Sequence, residues 1–125
     1  MNRFVVIALG AALGANARYL VGQWAGSRFG PAFPTGTFLV NVTGSFILAF
    51  LITLAAGRLN LSPDARLFLA VGFLGSYTTF SSYAVESLTL LQGGSSWVGL
   101  LNIFSNVAVG LLFALLGIYA ARLIG

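Results

Sequence analysis

Charge is missing from long stretches of this chain, and that spacing limits the folds open to it more than any other feature. No Asp, Glu, Lys or Arg lies between Arg3 and Arg18, between Arg28 and Arg58, between Arg66 and Glu86, or between Glu86 and Arg122. A helix that crosses a bilayer needs roughly 20 predominantly apolar residues. Each gap suits one such helix, and the polar run Gly93-Gly94-Ser95-Ser96 divides the last. The spacing predicts an all-α membrane protein, one domain over residues 1–125, with transmembrane helices near 3–24, 35–57, 66–91 and 97–123. Composition points the same way. The chain is 58% hydrophobic and only 6% charged, against about 25% charged in a soluble domain. So few charges could not cover the surface of a soluble fold.

The residue supply excludes whole classes of chemistry. There is no Cys and no His, and Asp64 and Glu86 are the only acids. Disulfides, thiolates, His-based metal sites, hydrolytic triads and paired carboxylates are therefore absent, and the chain reads as no enzyme. No phosphate-binding loop of the Gly-x-x-x-x-Gly-Lys type occurs. The first helix does not read as a cleaved leader, because it lacks a small-residue cleavage site and carries a glycine pattern suited to packing. The net charge of +4 comes from arginines near helix ends, which anchors a protein at the interface rather than binding nucleic acid. With four helices, Arg3, Arg58, Arg66 and Arg122 fall on one side and Arg18 and Arg28 on the other. The termini lean towards the cytoplasm, but so small an arginine bias also permits insertion both ways round.

Polar and small residues recur at helical spacing. Gly10, Gly14, Arg18 and Gly22 share one face of the first helix, where small-xxx-small spacing lets backbones approach. Arg18 would lie roughly 20 Å into the helix. An arginine at that depth either meets water or a partner, or snorkels to the interface beside Tyr19 and Trp24. Thr37, Asn41, Gly44 and Ser45 share a face of the second helix. Asn102, Ser105, Asn106 and Gly110 repeat the theme in the fourth. Such stripes bond helix to helix or line a wet path.

The third helix carries Gly72-Phe73-Leu74-Gly75-Ser76-Tyr77-Thr78-Thr79-Phe80-Ser81-Ser82-Tyr83. This run suits a break, with unwound backbone that must be buried in protein or line water. Transporters use such breaks to hold ions. The alternative is a continuous helix whose hydroxyls bond back to their own carbonyls.

At this run the sequence resembles the Fluc (CrcB) family of fluoride channels. The family's Gly-x-x-Thr-Thr-Phe-Ser-x-aromatic pattern stands here as Gly75 to Tyr83, and its Gly-Thr-x-x-x-Asn pattern as Gly36-Thr37-Phe38-Leu39-Val40-Asn41. Its first-helix Leu-Gly-Ala and arginine stand as Leu13-Gly14-Ala15 and Arg18. Length and layout match end to end. The resemblance implies a broken third helix and an antiparallel, dual-topology homodimer in a bacterial plasma membrane, with two pores for passive export of fluoride. It implies a fluoride pore of Asn41, Thr79, Phe80, Ser81, Ser82, Tyr83 and Asn106. Asn41 would be the pore amide, Ser81 and Ser82 pore hydroxyls, and Phe80 and Tyr83 the aromatic pair whose edges meet the anion. Arg18 would supply vestibule charge, Glu86 would sit near the pore end, and the carbonyls of Gly75 and Thr78 would hold a structural sodium ion between subunits. Tyr83 stands where the family usually has phenylalanine, which adds a hydroxyl to the ring.

The chemistry of the residues agrees with that reading. A small, strongly hydrated anion needs donors to replace its water, and Asn and Ser side chains carry N–H and O–H groups. Ring edges are the positive part of the aromatic quadrupole, and neutral donors hold an anion without trapping it. Gly75 is expected to supply the unusual torsions of the break. Two other classes fit four short helices: a proton-coupled multidrug exporter, which would want an acid in the first helix, and one half of a heterodimeric channel pair.

Overall fold

The computed structural model describes all of residues 1–125, and they are helical almost throughout. Helix α1 spans Arg3–Phe29 and α2 spans Thr35–Ala56. The third crossing comprises α3 (Pro63–Arg66), a π-helical segment (Leu67–Leu74), α4 (Gly75–Tyr77) and α5 (Phe80–Gln92). Helix α6 spans Ser96–Ile124. Three helices, α1, α2 and α6, are long and apolar enough to cross a membrane unbroken. The third crossing is interrupted at Thr78–Thr79, and neither arm alone reaches the roughly 20 residues that a span needs.

Local chemistry explains most boundaries. Asn2 caps α1, its Oδ1 accepting from Phe4 N at 2.8 Å. Nothing at Trp24 stops α1, which runs past the expected residue 24 to Phe29, where Gly30 takes a φ of 78°. Ser62 caps α3 through Ala65 N at 3.1 Å, with Pro63 at the first helical position. The third crossing therefore begins three residues before the expected Arg66.

Packing follows the glycines. A methyl on Gly10 or Gly14 would collide with the main-chain oxygen of Phe68 or Phe73, so α1 lies backbone to backbone on the π-helical segment. Helix α2 packs chiefly on α6, and α5 also packs on α6. Only 16 of 125 residues are buried, so most of the apolar surface, including Phe104, Leu111 and Leu123, faces outward. A soluble monomer would not expose apolar surface on that scale, whereas a bilayer or a second subunit covers it.

Candidate ion pore

The break is held by α2. Thr78 (φ −90°, ψ 158°) and Thr79 (φ −151°, ψ 123°) are extended, and extended backbone in a bilayer must find partners outside its own helix. Asn41 supplies both for Thr79. Its Oδ1 accepts from Thr79 N at 2.9 Å, and its Nδ2 donates to Thr79 O at 3.0 Å. Two residues along α2, the Thr43 hydroxyl donates to Leu39 O, so the Tyr77 hydroxyl at 2.9 Å is the donor to Thr43 Oγ1. The Thr78 methyl lies directly over Gly44, where a Cβ would collide with it. Tyr77, Thr78 and Thr79 thus each meet one residue of α2.

Gly75 does not make the break. Its φ of −62° and ψ of −31° are those of an ordinary helix. The expectation that its torsional freedom opens the helix is corrected: the two threonines turn the chain, in torsions that any L-residue adopts. They do so because α2 offers the bonds that the helix loses.

Beyond the break α5 restarts with Thr79 as its cap. Thr79 Oγ1 accepts from Ser82 N at 3.2 Å and donates to Ser82 Oγ at 3.2 Å. The Ser81 hydroxyl lies 3.4 Å from the same oxygen. The positive end of the α5 dipole therefore opens at the break, beside hydroxyl groups. The Phe80 and Tyr83 rings stand 5.6 Å apart, tilted by 58°. The Tyr83 hydroxyl donates to Ile103 O of α6 at 3.0 Å, so it is directed into the protein.

Two cavities flank the break and share Thr79. One, of about 330 Å³, is lined by Asn41, Gly44, Ser45, Leu48, Thr78, Thr79, Phe80, Tyr83, Asn106 and Val107. The other, of about 560 Å³, is lined by Arg18, Tyr19, Gln23, Thr37, Ser82 and Glu86 among others. The structure thus brings most of the expected residues to two neighbouring hollows, with Ser81 and Gly75 exposed on the surface of the chain. Arg18 meets a partner: its Nε donates to Ser76 O at 3.0 Å, across the bundle from α1. Glu86 Oε1 accepts from the Thr37 hydroxyl at 2.8 Å, while Oε2 is buried without a partner.

The amides behave differently from the hydroxyls. Asn41 Nδ2 gives its second bond to Asn106 Oδ1 at 3.2 Å. Asn106 Nδ2 donates to Asn102 O and Oδ1, both at 2.9 Å. Their N–H groups are occupied within the chain, whereas the Ser82 hydroxyl accepts from Thr79 and has its own proton free for the cavity. Sequence reasoning named neither Thr37 nor Asn102 as a site residue, although both stood in the polar stripes. Ser87, which accepts from Asn102 Nδ2 at 2.8 Å, was not named either, although it shares a helical face with Tyr83 and Thr79, four and eight residues before it.

Three helices long and apolar enough to cross a membrane, packed with a broken helical segment whose break is flanked by hollows with polar side chains in their walls, suit a multi-pass membrane protein of the ion-transport class. Comparison with known proteins places it more closely. The family described as CrcB-like protein, camphor resistance (CrcB), matches residues 5–118. A Rhizobium meliloti protein named fluoride-specific ion channel FluC is 43% identical over 122 residues, covering 98% of both chains. Like-named proteins are 43% identical in Chloroflexus aurantiacus, covering 100% of this chain and 99% of the relative, and 46% identical in a Sulfurihydrogenibium species, covering 99% and 100%. The chain belongs to the CrcB family.

Proposed function

We propose that the chain is a fluoride-selective channel through which cytoplasmic fluoride leaves a bacterial cell down its electrochemical gradient. One observation carries the reading. The interrupted third crossing places Thr79, Phe80, Ser81, Ser82 and Tyr83 at the mouth of a helix N-terminus, in a chain similar from end to end to proteins named fluoride-specific ion channels. Membership of the family also makes the chain a non-enzymatic transport protein of the membrane.

The pore would run from the hollow of Arg18 and Glu86 past Thr79 to the hollow of Asn41, Phe80, Tyr83 and Asn106. Arg18 raises the local anion concentration at one end. At the break the ion exchanges water for the hydroxyls of Ser81 and Ser82 and for the ring edges of Phe80 and Tyr83. The α5 dipole favours negative charge there, and no fixed positive charge holds the ion back. Asn41 and Asn106 shape the wall.

A single chain leaves the pore open on one side, with Phe80 77% exposed and Gly75 exposed as well. A second copy in antiparallel orientation would close it and give two pores. Both carbonyls assigned to sodium fit the task. The amides four residues on, Thr79 N and Ser82 N, are engaged by Asn41 and by Thr79 Oγ1 instead. Gly75 and Thr78 of the two subunits would hold the ion, which supplies charge between them.

Liposomes holding only the purified protein test the function. Fluoride efflux should follow the imposed gradient and exceed chloride efflux by more than about a hundredfold, a difference of about 2.7 kcal/mol in barrier. Equal efflux of the two anions would refute selectivity.

A further inference from the structure

Asn102 and Ser87, behind the pore wall, have no part in the mechanism above, yet they are the most deeply buried polar side chains of the chain. Asn102 is 0% exposed and Ser87 3%. Polar groups at that depth persist where their bonds are complete. Here the bonds also run in one direction. The Ser87 hydroxyl proton goes to Tyr83 O at 2.7 Å, so Ser87 Oγ accepts from Asn102 Nδ2 at 2.8 Å. That turns Asn102 Oδ1 towards Asn106, whose Nδ2 donates to it at 2.9 Å. Asn106 then presents its Oδ1 to Asn41 Nδ2 at 3.2 Å, and Asn41 clamps Thr79. Turning over any one amide would set donor against donor or acceptor against acceptor at its neighbour.

We propose that Asn102 is a positioning residue for permeation: it fixes the amide of Asn106, and through it the Asn41 clamp on the break, without facing the ion. The inference rests on the pore reading above. It explains why Asn106 lines the hollow and yet keeps its N–H groups turned away from it. The anion then meets hydroxyls and ring edges, and no amide is free to bind it too firmly.

Asn102→Leu, similar in size and without polar side-chain atoms, removes the side-chain acceptor of Asn106 and leaves its Nδ2 only the main-chain Asn102 O, also at 2.9 Å. Fluoride efflux should fall about tenfold, the effect of one buried group losing its partner. The loss should vanish when Asn102→Leu is made on top of Asn106→Ala, because Asn102 acts through that amide. Ser87→Ala takes away the far end of the chain of bonds with little loss of volume, and should lower efflux in the same direction. In both variants hydrogen exchange at the Thr79 amide should quicken. Losses that add in the double variant, or unchanged efflux in Asn102→Leu, would overturn the proposal. If Asn102→Leu does not assemble, Ser87→Ala decides alone, and unchanged efflux with unchanged Thr79 exchange overturns it. A wild-type protein that passes no fluoride would refute the pore reading instead, and the Thr79 exchange would still show whether Asn102 holds the clamp.

Discussion

Two rings share the first turn of α5, and only one of them is tied down. Tyr83 is fixed to α6 through Ile103 O at 3.0 Å, while Phe80 stands 77% exposed beside it. The hydroxyl that sets Tyr83 apart from the usual phenylalanine is thus consumed inside the bundle, and the ring edge is left for the pore. Tyr83→Phe should keep fluoride efflux within about twofold of wild type and lower stability by about 1 kcal/mol, the net worth of one hydrogen bond. Phe80→Ala removes a ring edge with no substitute and should cut efflux at least about a hundredfold. The liposome assay reads both, and normal conduction by Phe80→Ala would refute this placement of the pore. At this scale the sequence singled out polar groups without showing their partners. Asn41 and Asn106 were legible as important polar groups inside the bilayer. A sequence, however, counts donors without showing which acceptors they meet; here those are Thr79 and Asn106 for Asn41, and Asn102 for Asn106.

At the scale of elements, the broken crossing is a joint product of two helices. The run 72–83 suited a break because five Ser and Thr residues and two glycines interrupt it. Its exact place was not legible, since what decides it is the register of α2. Thr43, Gly44 and Asn41 meet Tyr77, Thr78 and Thr79 in turn. The π-helical stretch was equally hidden, because it lies where Gly10 and Gly14 bring α1 against the backbone of Phe68 and Phe73. The apolar runs themselves were plain, and the helices start within a few residues of where charge and turn residues put them. A methyl at Gly44 has no space above it, because the Thr78 side chain is already there. Gly44→Ala should therefore cost about 1–3 kcal/mol as overpacking. It should also displace Thr78 and reduce efflux, although residue 44 carries no donor for the ion. Thermal unfolding and efflux measured on one preparation check it. A destabilised protein that conducts normally would detach the geometry of the break from permeation.

Whole-molecule behaviour turns on the open face of the chain and on its arginines. Arg3, Arg58, Arg66 and Arg122 against Arg18 and Arg28 make a shallow bias. A reporter fused after Gly125 should therefore be found on both sides of the membrane, and added lysines around Asn60 should drive it to one side. A reporter found on one side only, in the unaltered protein, would favour a pair of different chains over two copies of this one. Antiparallel pairing, as proposed, would have a chemical consequence at the break. Gly75 and Thr78 have lost the amides that would normally cap their carbonyls, and a lone carbonyl in the bilayer costs several kcal/mol. A two-fold axis doubles two carbonyls to four. Neutral oxygens suit a hard monovalent cation, whereas a transition metal would seek the His and Cys that this chain lacks. An ion held by both subunits stabilises the dimer according to its concentration relative to its dissociation constant, about 2.7 kcal/mol at a hundredfold excess. Replacing sodium by a large organic cation, with time allowed for a buried ion to exchange, should therefore lower both the dimer fraction and fluoride efflux. Readdition of sodium should restore them. A dimer equally stable in either medium would mean that those carbonyls find hydroxyl or water partners, and that no cation joins the subunits.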